Sequence, residues 1–258
     1  MSTAKTIRGA RRRVLKVGGA HLADERYLDA LASRLSELRA EGSAVLLVHG
    51  GGAEIAALHQ ALGVPFEKRR GLRVTSERGM DIVTMVLCGL VNKRLVARFV
   101  AAGLSTIGLS GVDLGLMRAK LLNYEQLGRV GAAPVVDVAR LAALLDEHGL
   151  VVMAPTCAGP DGMPVNVNAD AVAQALAVAI EAETLEMITD VDAVRTERGP
   201  ARQLRLGDVE ALIAGSVIKG GMIPKVQAAL AAVGGGVERV RVGSLESLAR
   251  GEATEVRA

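Results

Sequence analysis

Five short runs of aliphatic and β-branched residues recur along the chain: RVLKV (13–17), AVLLV (44–48), LVVMA (150–154), LEMIT (185–189) and RVRV (239–242). They read as strands buried on both faces of a largely parallel sheet. Between them, DERYLDALASRLSELRAEG, ARLAALLDEHG and VQAALAAVGGG carry helical periodicity, each with glycine at or just past its end, as a C-terminal stop requires. The β-α-β-α order predicts an α/β protein, with helices on both sides of an open, mainly parallel, doubly wound sheet. The segment from Leu116 to Val136 breaks the rhythm and reads as hairpin-like excursions at a sheet edge. There is no internal repeat and no Pro/Ser-rich linker, so a division into lobes must fall inside a continuous sheet. The best place for it is the helix opened by PVNVNADAVAQAL (164–176).

With 258 residues, 50% of them hydrophobic, the chain can bury a sizeable core. Aromatic residues are 2% and tryptophan is missing, so that core must be built from Val, Leu, Ile, Ala and Met. The formal charge of +3 includes five cationic residues near the N-terminus, Lys5, Arg8, Arg11, Arg12 and Arg13; without them the remainder is −2. The basic signal therefore reads as a solvated tail rather than a nucleic-acid surface. Cys88 and Cys157 lack metal-ligand spacing and suit a reducing compartment, with Cys88 read as a small core residue. No run reaches the ~18 apolar residues of a membrane span, and the basic N-terminus leads into VLKVGG rather than a signal-peptide core. A cytoplasmic protein with no membrane partner is expected.

Two strands end in glycine turns, VLKVGG with Lys16, Gly18 and Gly19, and AVLLVHGGGAEI with His49, Gly51 and Gly52. Such turns aim backbone N–H groups and a helix dipole at an anion. Neither is a GxxxxGK[ST] loop, and no GxGxxG follows a strand. Further on, SVIKGGMIPKVQAAL offers Gly221 and then Lys225 near a helix start that Pro224 fixes. In PVNVNAD, Asn168 is a good N-cap and Asp170 complements the helix dipole. Alternation puts Asn166 on the same face as Asn168, a place that capping does not explain.

KVGG (16–19), HGGG (49–52), GLRVT (71–75), GLSGVD (108–113), NVNAD (166–170) and GGMIPKV (220–226) resemble, in order and rough spacing, the N-acetylglutamate kinases of the amino acid kinase superfamily. The resemblance spans nearly the whole chain. It implies a three-layer αβα sandwich that forms a homodimer. Residues 1–180 would be the N-terminal lobe, for the amino-acid substrate and dimerisation, and 181–258 the C-terminal lobe, for ATP with Mg²⁺. By the same likeness, Lys16 and Lys225 would act on the transferred phosphoryl group, with Asp170 as their organiser. Gly18, Gly19, Gly51 and Gly52 would surround the phosphates and the attacking carboxylate. Arg73 would hold the α-carboxylate and Asn166 the substrate, while Asp190 and Gly221 would serve the nucleotide, with no metal ligand among the side chains.

The implied chemistry is self-consistent. A Glu-like carboxylate with a pKa near ~4.3 is already ionised at neutral pH, so no general base is needed. What the transition state needs is positive charge and backbone donors. His49 accordingly reads as a structural hydrogen-bonder. One departure from the family is TDVDAV (189–194), where Asp192 and Ala193 replace the usual residue and glycine, which puts the local turn in question. The short segment before the first strand suggests a dimer insensitive to arginine, although Thr6 to Arg13 could extend as a short helix. Two rivals remain: a kinase for glutamate or aminoadipate displayed on an acidic carrier protein, steered by Lys68, Arg69 and Arg70, and a nucleotide-binding sensor without catalysis.

Overall fold

The computed structural model describes residues 11–69, 71–197 and 199–257. Lys5, Arg8, Arg70 and the 6–10 part of the possible N-terminal helix lie outside them.

The aliphatic runs form the middle of an eight-stranded sheet. In chain order its strands are β1 (Arg12–Val17), β2 (Ala44–His49), β3 (Ile107–Ser110), β4 (Leu150–Ala154), β5 (Thr184–Ile188), β6 (Gln203–Arg205), β7 (Arg239–Gly243) and β8 (Thr254–Arg257). They lie in the order β6-β8-β7-β5-β1-β2-β4-β3. Every neighbouring pair is parallel except β7 and β8. Arg12 and Arg13 belong to β1, and Arg13 is buried against Ser43 and Glu41. That corrects the reading of this basic stretch as a solvated tail, because the strand begins inside it.

Alternation along the strands sorts side chains into two cores. Val14, Leu46, Val48, Val151, Met153, Leu185 and Met187 pack with helices α5 (Val138–His148), α6 (Ala169–Ala179), α7 (Leu206–Ala214) and α8 (Met222–Gly234). Leu15, Val17, Val45, Leu47, Val152 and Ile188 face the other way. Their partners are α1 (Glu25–Ala40), α2 (Gly52–Ala61), α3 (Glu77–Thr84), α4 (Asn92–Ala101) and α9 (Leu245–Arg250). This is the three-layer αβα sandwich. A π-helical turn, Met85–Val91, joins α3 to α4 in one continuous rod. Where α4 begins, buried Asn92 donates to the Val152 carbonyl at 3.1 Å and the Leu109 carbonyl at 3.3 Å, tying the rod to β3 and β4.

The Leu116–Val136 stretch does form an antiparallel pair, Met117–Arg118 with Val135–Val136. However, it does not sit on the edge of the main sheet. It joins Thr156–Ala158 and Pro164–Asn166 in a separate four-stranded sheet. A backbone hydrogen bond from Gly131 to Asn166 binds the stretch to the Asn166 strand, and one from Arg129 to Thr75 ties it to the hairpin Glu67–Arg69/Leu72–Val74. The strand that carries Asn166 is therefore braced from two sides.

Candidate active site

Parallel pairing brings the carboxyl ends of β1, β2 and β5 to one edge of the sheet. The chain leaves β1 toward β2 and later returns to β5 on the opposite side of β1, and ligands of open α/β sheets bind at such a switch point. Here the two glycine turns touch. A Cβ on Gly19 would lie 2.7 Å from the Gly51 nitrogen and 2.8 Å from that of Gly52. Only glycine permits that approach, which sets Gly18 and Gly19 against the start of α2 at Gly52.

Lys16, on the same face of β1 as Val14, points toward α6. Its Nζ lies 2.7 Å from Asp170 Oδ1, and Lys225 Nζ lies 3.4 Å from both Asp170 oxygens. Asn168 caps α6 by accepting from the Asp170 N–H at 2.7 Å and the Ala171 N–H at 3.4 Å, which fixes Asp170 in the first turn. Lys225 occupies the first turn of α8, directly after Pro224. The three side chains retain only 5%, 7% and 15% of their exposure, in the order Lys16, Asp170, Lys225. Two ammonium groups thus share the one carboxylate they touch, in a site with little water, with Asp190 near enough to feel the charge of Lys225. Burial pulls the Lys16 pKa down to about 8; Asp170 opposes the shift and Lys225 adds to it. A second anion placed between the lysines would relieve this imbalance.

Below about 8 Lys16 is charged, and above it the ammonium is lost, so kcat/KM is expected to fall as pH rises through about 8. In a pH series, the corresponding limb of kcat should lie at higher pH, because bound phosphates favour the charged lysine.

A cavity of about 180 Å³ opens beside this cluster, lined by Gly50, Gly51, Gly52, Ile55, Arg73, Leu87, Val130, Asn166 and Asn168 among others. Arg73 has no ion pair among the described residues, and its Nη1 is buried without a hydrogen-bond partner. Its Nη2 faces the glycine turn, 3.7 Å from where a Gly52 Cβ would stand. Burial lowers its pKa to about 10, so it stays charged at neutral pH. Asn166 donates from Nδ2 to Thr75 Oγ at 3.1 Å, and Thr75 donates to the Arg73 carbonyl at 2.8 Å. A second cavity of about 580 Å³ adjoins the first. It shares Lys68, Gly71, Leu72 and Asn168 and extends to Gly220, Gly221 and Pro224 at the start of α8.

Asp190 follows the end of β5 and accepts from Thr189 Oγ at 2.9 Å, a bond that lowers its pKa. Gly221 caps α8 and lines the second cavity. The departure at TDVDAV is accommodated. Ala193 is not among the residues with positive φ, so no glycine is needed there, and Asp192 accepts from Ser244 Oγ at 2.6 Å, at the cap of α9. His49 is fully buried, and burial lowers its pKa to about 4. Its Nδ1 bonds the Gly50 carbonyl at 2.9 Å while Nε2 meets the Asn92 amide at 3.3 Å, a structural role. Cys157 is fully buried, but Cys88 is only half-buried, on the π-helical turn. The sequence reading did not single out Leu87, Val130, Thr75 or Phe66 near this cavity. Leu87 reaches it because the π turn presses that side chain onto Gly51.

The sequence model of the amino acid kinase family matches residues 11–244. The chain belongs to the amino acid kinase family. It is 44% identical over 238 residues to an acetylglutamate kinase of Chloroflexus aurantiacus, covering 91% of this chain and 92% of the relative. A solved structure of smu.665 from Streptococcus mutans UA159 superposes with a TM-score of 0.84 at 29% identity, covering 96% and 98% of the two chains. Carbamate kinase from Giardia lamblia bound to AMP-PNP, at 17% identity and a TM-score of 0.69, covers 96% of this chain and 99% of its own, and shares the fold.

For an amino acid kinase built this way, Asp170→Asn should be severe. It keeps the side chain's shape but leaves Lys16 and Lys225 facing each other with no carboxylate between them. The expected result is a loss of at least about a hundredfold in kcat, with stability lowered by about 3–5 kcal/mol, as when one partner of a buried pair is removed. Because Asp170 holds the Lys16 pKa up, the alkaline limb should also move to lower pH. If Asp170 were only a helix-cap neighbour, stability would change by about 1 kcal/mol or less and the pH profile would not move.

Proposed function

We propose that this protein is an acetylglutamate kinase, transferring the γ-phosphoryl group of ATP to the γ-carboxylate of N-acetyl-L-glutamate. One observation carries the reading: two lysines, Lys16 and Lys225, sharing the carboxylate of Asp170 stand beside a cavity whose Arg73 has no ion pair among the described residues. Arg73 and Asn166 take the amino acid's α-carboxylate, which leaves its γ-carboxylate to face the lysines. Gly18, Gly19, Gly51 and Gly52 supply backbone donors to the phosphates and the attacking oxygen. Lys16 and Lys225 draw two anions together and carry charge as the bond to ADP breaks. Asp190 and Gly221 border the nucleotide.

Mg²⁺ would arrive with the nucleotide. No group of three His, Cys, Asp or Glu side chains among the described residues could hold a metal ion. Mg²⁺ would be held largely by phosphate oxygens and water and would neutralise phosphate charge. Residues 1–180 form the amino-acid lobe and 181–258 the nucleotide lobe. The homodimer is supported by an exposed apolar face on the α3–α4 rod, where Met85, Leu90 and Val100 are each at least half exposed. The unpaired cysteines fit the cytoplasm, and no helix among the described residues is long and apolar enough to cross a membrane.

The carrier-protein alternative loses support because Arg69 is forked onto Glu67 at 2.6 Å, which weakens the basic patch. A coupled ADP-release assay over N-acetyl-L-glutamate, glutamate, aspartate, carbamate and a glutamate-bearing carrier tests the reading. Turnover should appear with N-acetyl-L-glutamate; turnover only with another acceptor sinks it.

A further inference from the structure

Arg73 is charged and has no ion pair among the described residues, yet its guanidinium is held in place. Its Cζ lies 4.5 Å from the centroid of the Phe66 ring. On another side His59 meets the same ring in a T-shaped contact, centroids 5.6 Å apart. His59 is itself buried, with Nδ1 within 3.1 Å of the Pro65 carbonyl and 3.3 Å of the Val64 carbonyl. A chain of contacts therefore runs from the last turn of α2 through His59 and Phe66 to Arg73. The chain has only two phenylalanines. Phe99 fills the core, while Phe66 remains 39% exposed. Its burial alone gives a weak reason for an aromatic residue there; its place against Arg73 gives a stronger one.

We infer that Phe66 is a positioning residue, holding the Arg73 guanidinium ready for the carboxylate of the amino-acid substrate. The inference rests on the substrate reading above. A guanidinium with no anion partner and a long rotatable stem would otherwise have to be ordered at each binding event. The ring face restrains it beforehand by a cation–π contact that asks for no counter-charge and leaves its N–H groups free for the incoming carboxylate.

The test measures full kinetics and thermal melting for Phe66→Leu and Phe66→Tyr. Phe66→Leu should raise KM for N-acetyl-L-glutamate about tenfold, the middle of the range for a partly desolvated cation–π contact. It should leave kcat and the KM for ATP within about twofold. Phe66→Tyr keeps the ring face and should restore KM. N-acetyl-4-aminobutanoate keeps the reacting carboxylate but lacks the α-carboxylate, so its kcat/KM should not change in Phe66→Leu. Adding Phe66→Leu to Arg73→Ala should likewise cost nothing more. An unchanged KM in Phe66→Leu, an equal loss with both substrates, or no rescue by tyrosine overturns the inference. A general structural defect would lower kcat and melting temperature together and overturns it too. If the unsubstituted protein does not turn over N-acetyl-L-glutamate, the substrate reading fails and takes this inference with it; a failure confined to the Phe66 variants leaves that reading standing.

Discussion

Lys16→Met is expected to reduce kcat by about a thousandfold while the protein melts at the same temperature or higher. The two effects have one cause. Lys16 supplies positive charge to a nearly dry site, where losing even a neutral hydrogen-bond donor to a developing anion costs about 10²–10³ in rate. The same burial makes the charge expensive at rest. With Lys16 gone, Asp170 is balanced by Lys225 alone, and the methionine meets aliphatic neighbours on the face it shares with Val14. Lys16→Arg should not recover activity, since a guanidinium is too large for a site where Nζ lies 2.7 Å from Asp170 at 5% exposure. Lys225→Ala should give a similar rate loss. Steady-state kinetics and a melting curve on the same preparations check both halves. Retained activity in both variants would remove the phosphoryl site from this cluster.

Arg73→Ala should act on binding instead. Removing one partner of a desolvated charge pair costs about 2–5 kcal/mol, so KM for N-acetyl-L-glutamate should rise by roughly 30- to 5,000-fold. The effect on kcat should be smaller, because the α-carboxylate keeps its charge through the reaction and is held alike in ground and transition states. Arg73→Lys should recover little, since an ammonium cannot make the planar two-point contact. Arg73 has no acidic partner among the described residues to strand, so its loss should cost the fold only its contact with Phe66, about 1 kcal/mol. A kcat loss larger than the KM change would mean that Arg73 faces the reacting carboxylate.

β1, β2, β4 and β5 were legible as buried, mostly aliphatic runs and β7 through its alternation of Arg with Val, and β5 was misplaced by only one residue. β3 was not, because Gly108 stands in its middle and looks like a breaker. The glycine is there to receive the rod: a Cβ would lie 2.2 Å from Asn92 Oδ1. The rod itself hid because its exposed side carries Met85, Leu90 and Val100, and because a π turn shifts its period midway. Lys16, Asp170 and Lys225 lie beside glycine turns and a cap signal, features local in sequence, while their proposed roles came from the family resemblance. Phe66 was not legible, since its place beside Arg73 needs the hairpin to close, and Thr75 was not, since its place beside Asn166 needs that hairpin to meet a second small sheet.

The central claim is an orientation: Arg73 holds one carboxylate while Lys16 and Lys225 receive the other. Hydroxylamine trapping of the product made from N-acetyl-L-glutamate and ATP tests it most directly, because an acyl phosphate is converted to a hydroxamate at the carbon that carried it. The γ-hydroxamate alone is the expected product. Formation of the α-hydroxamate, or ADP release with no hydroxamate, would contradict the account.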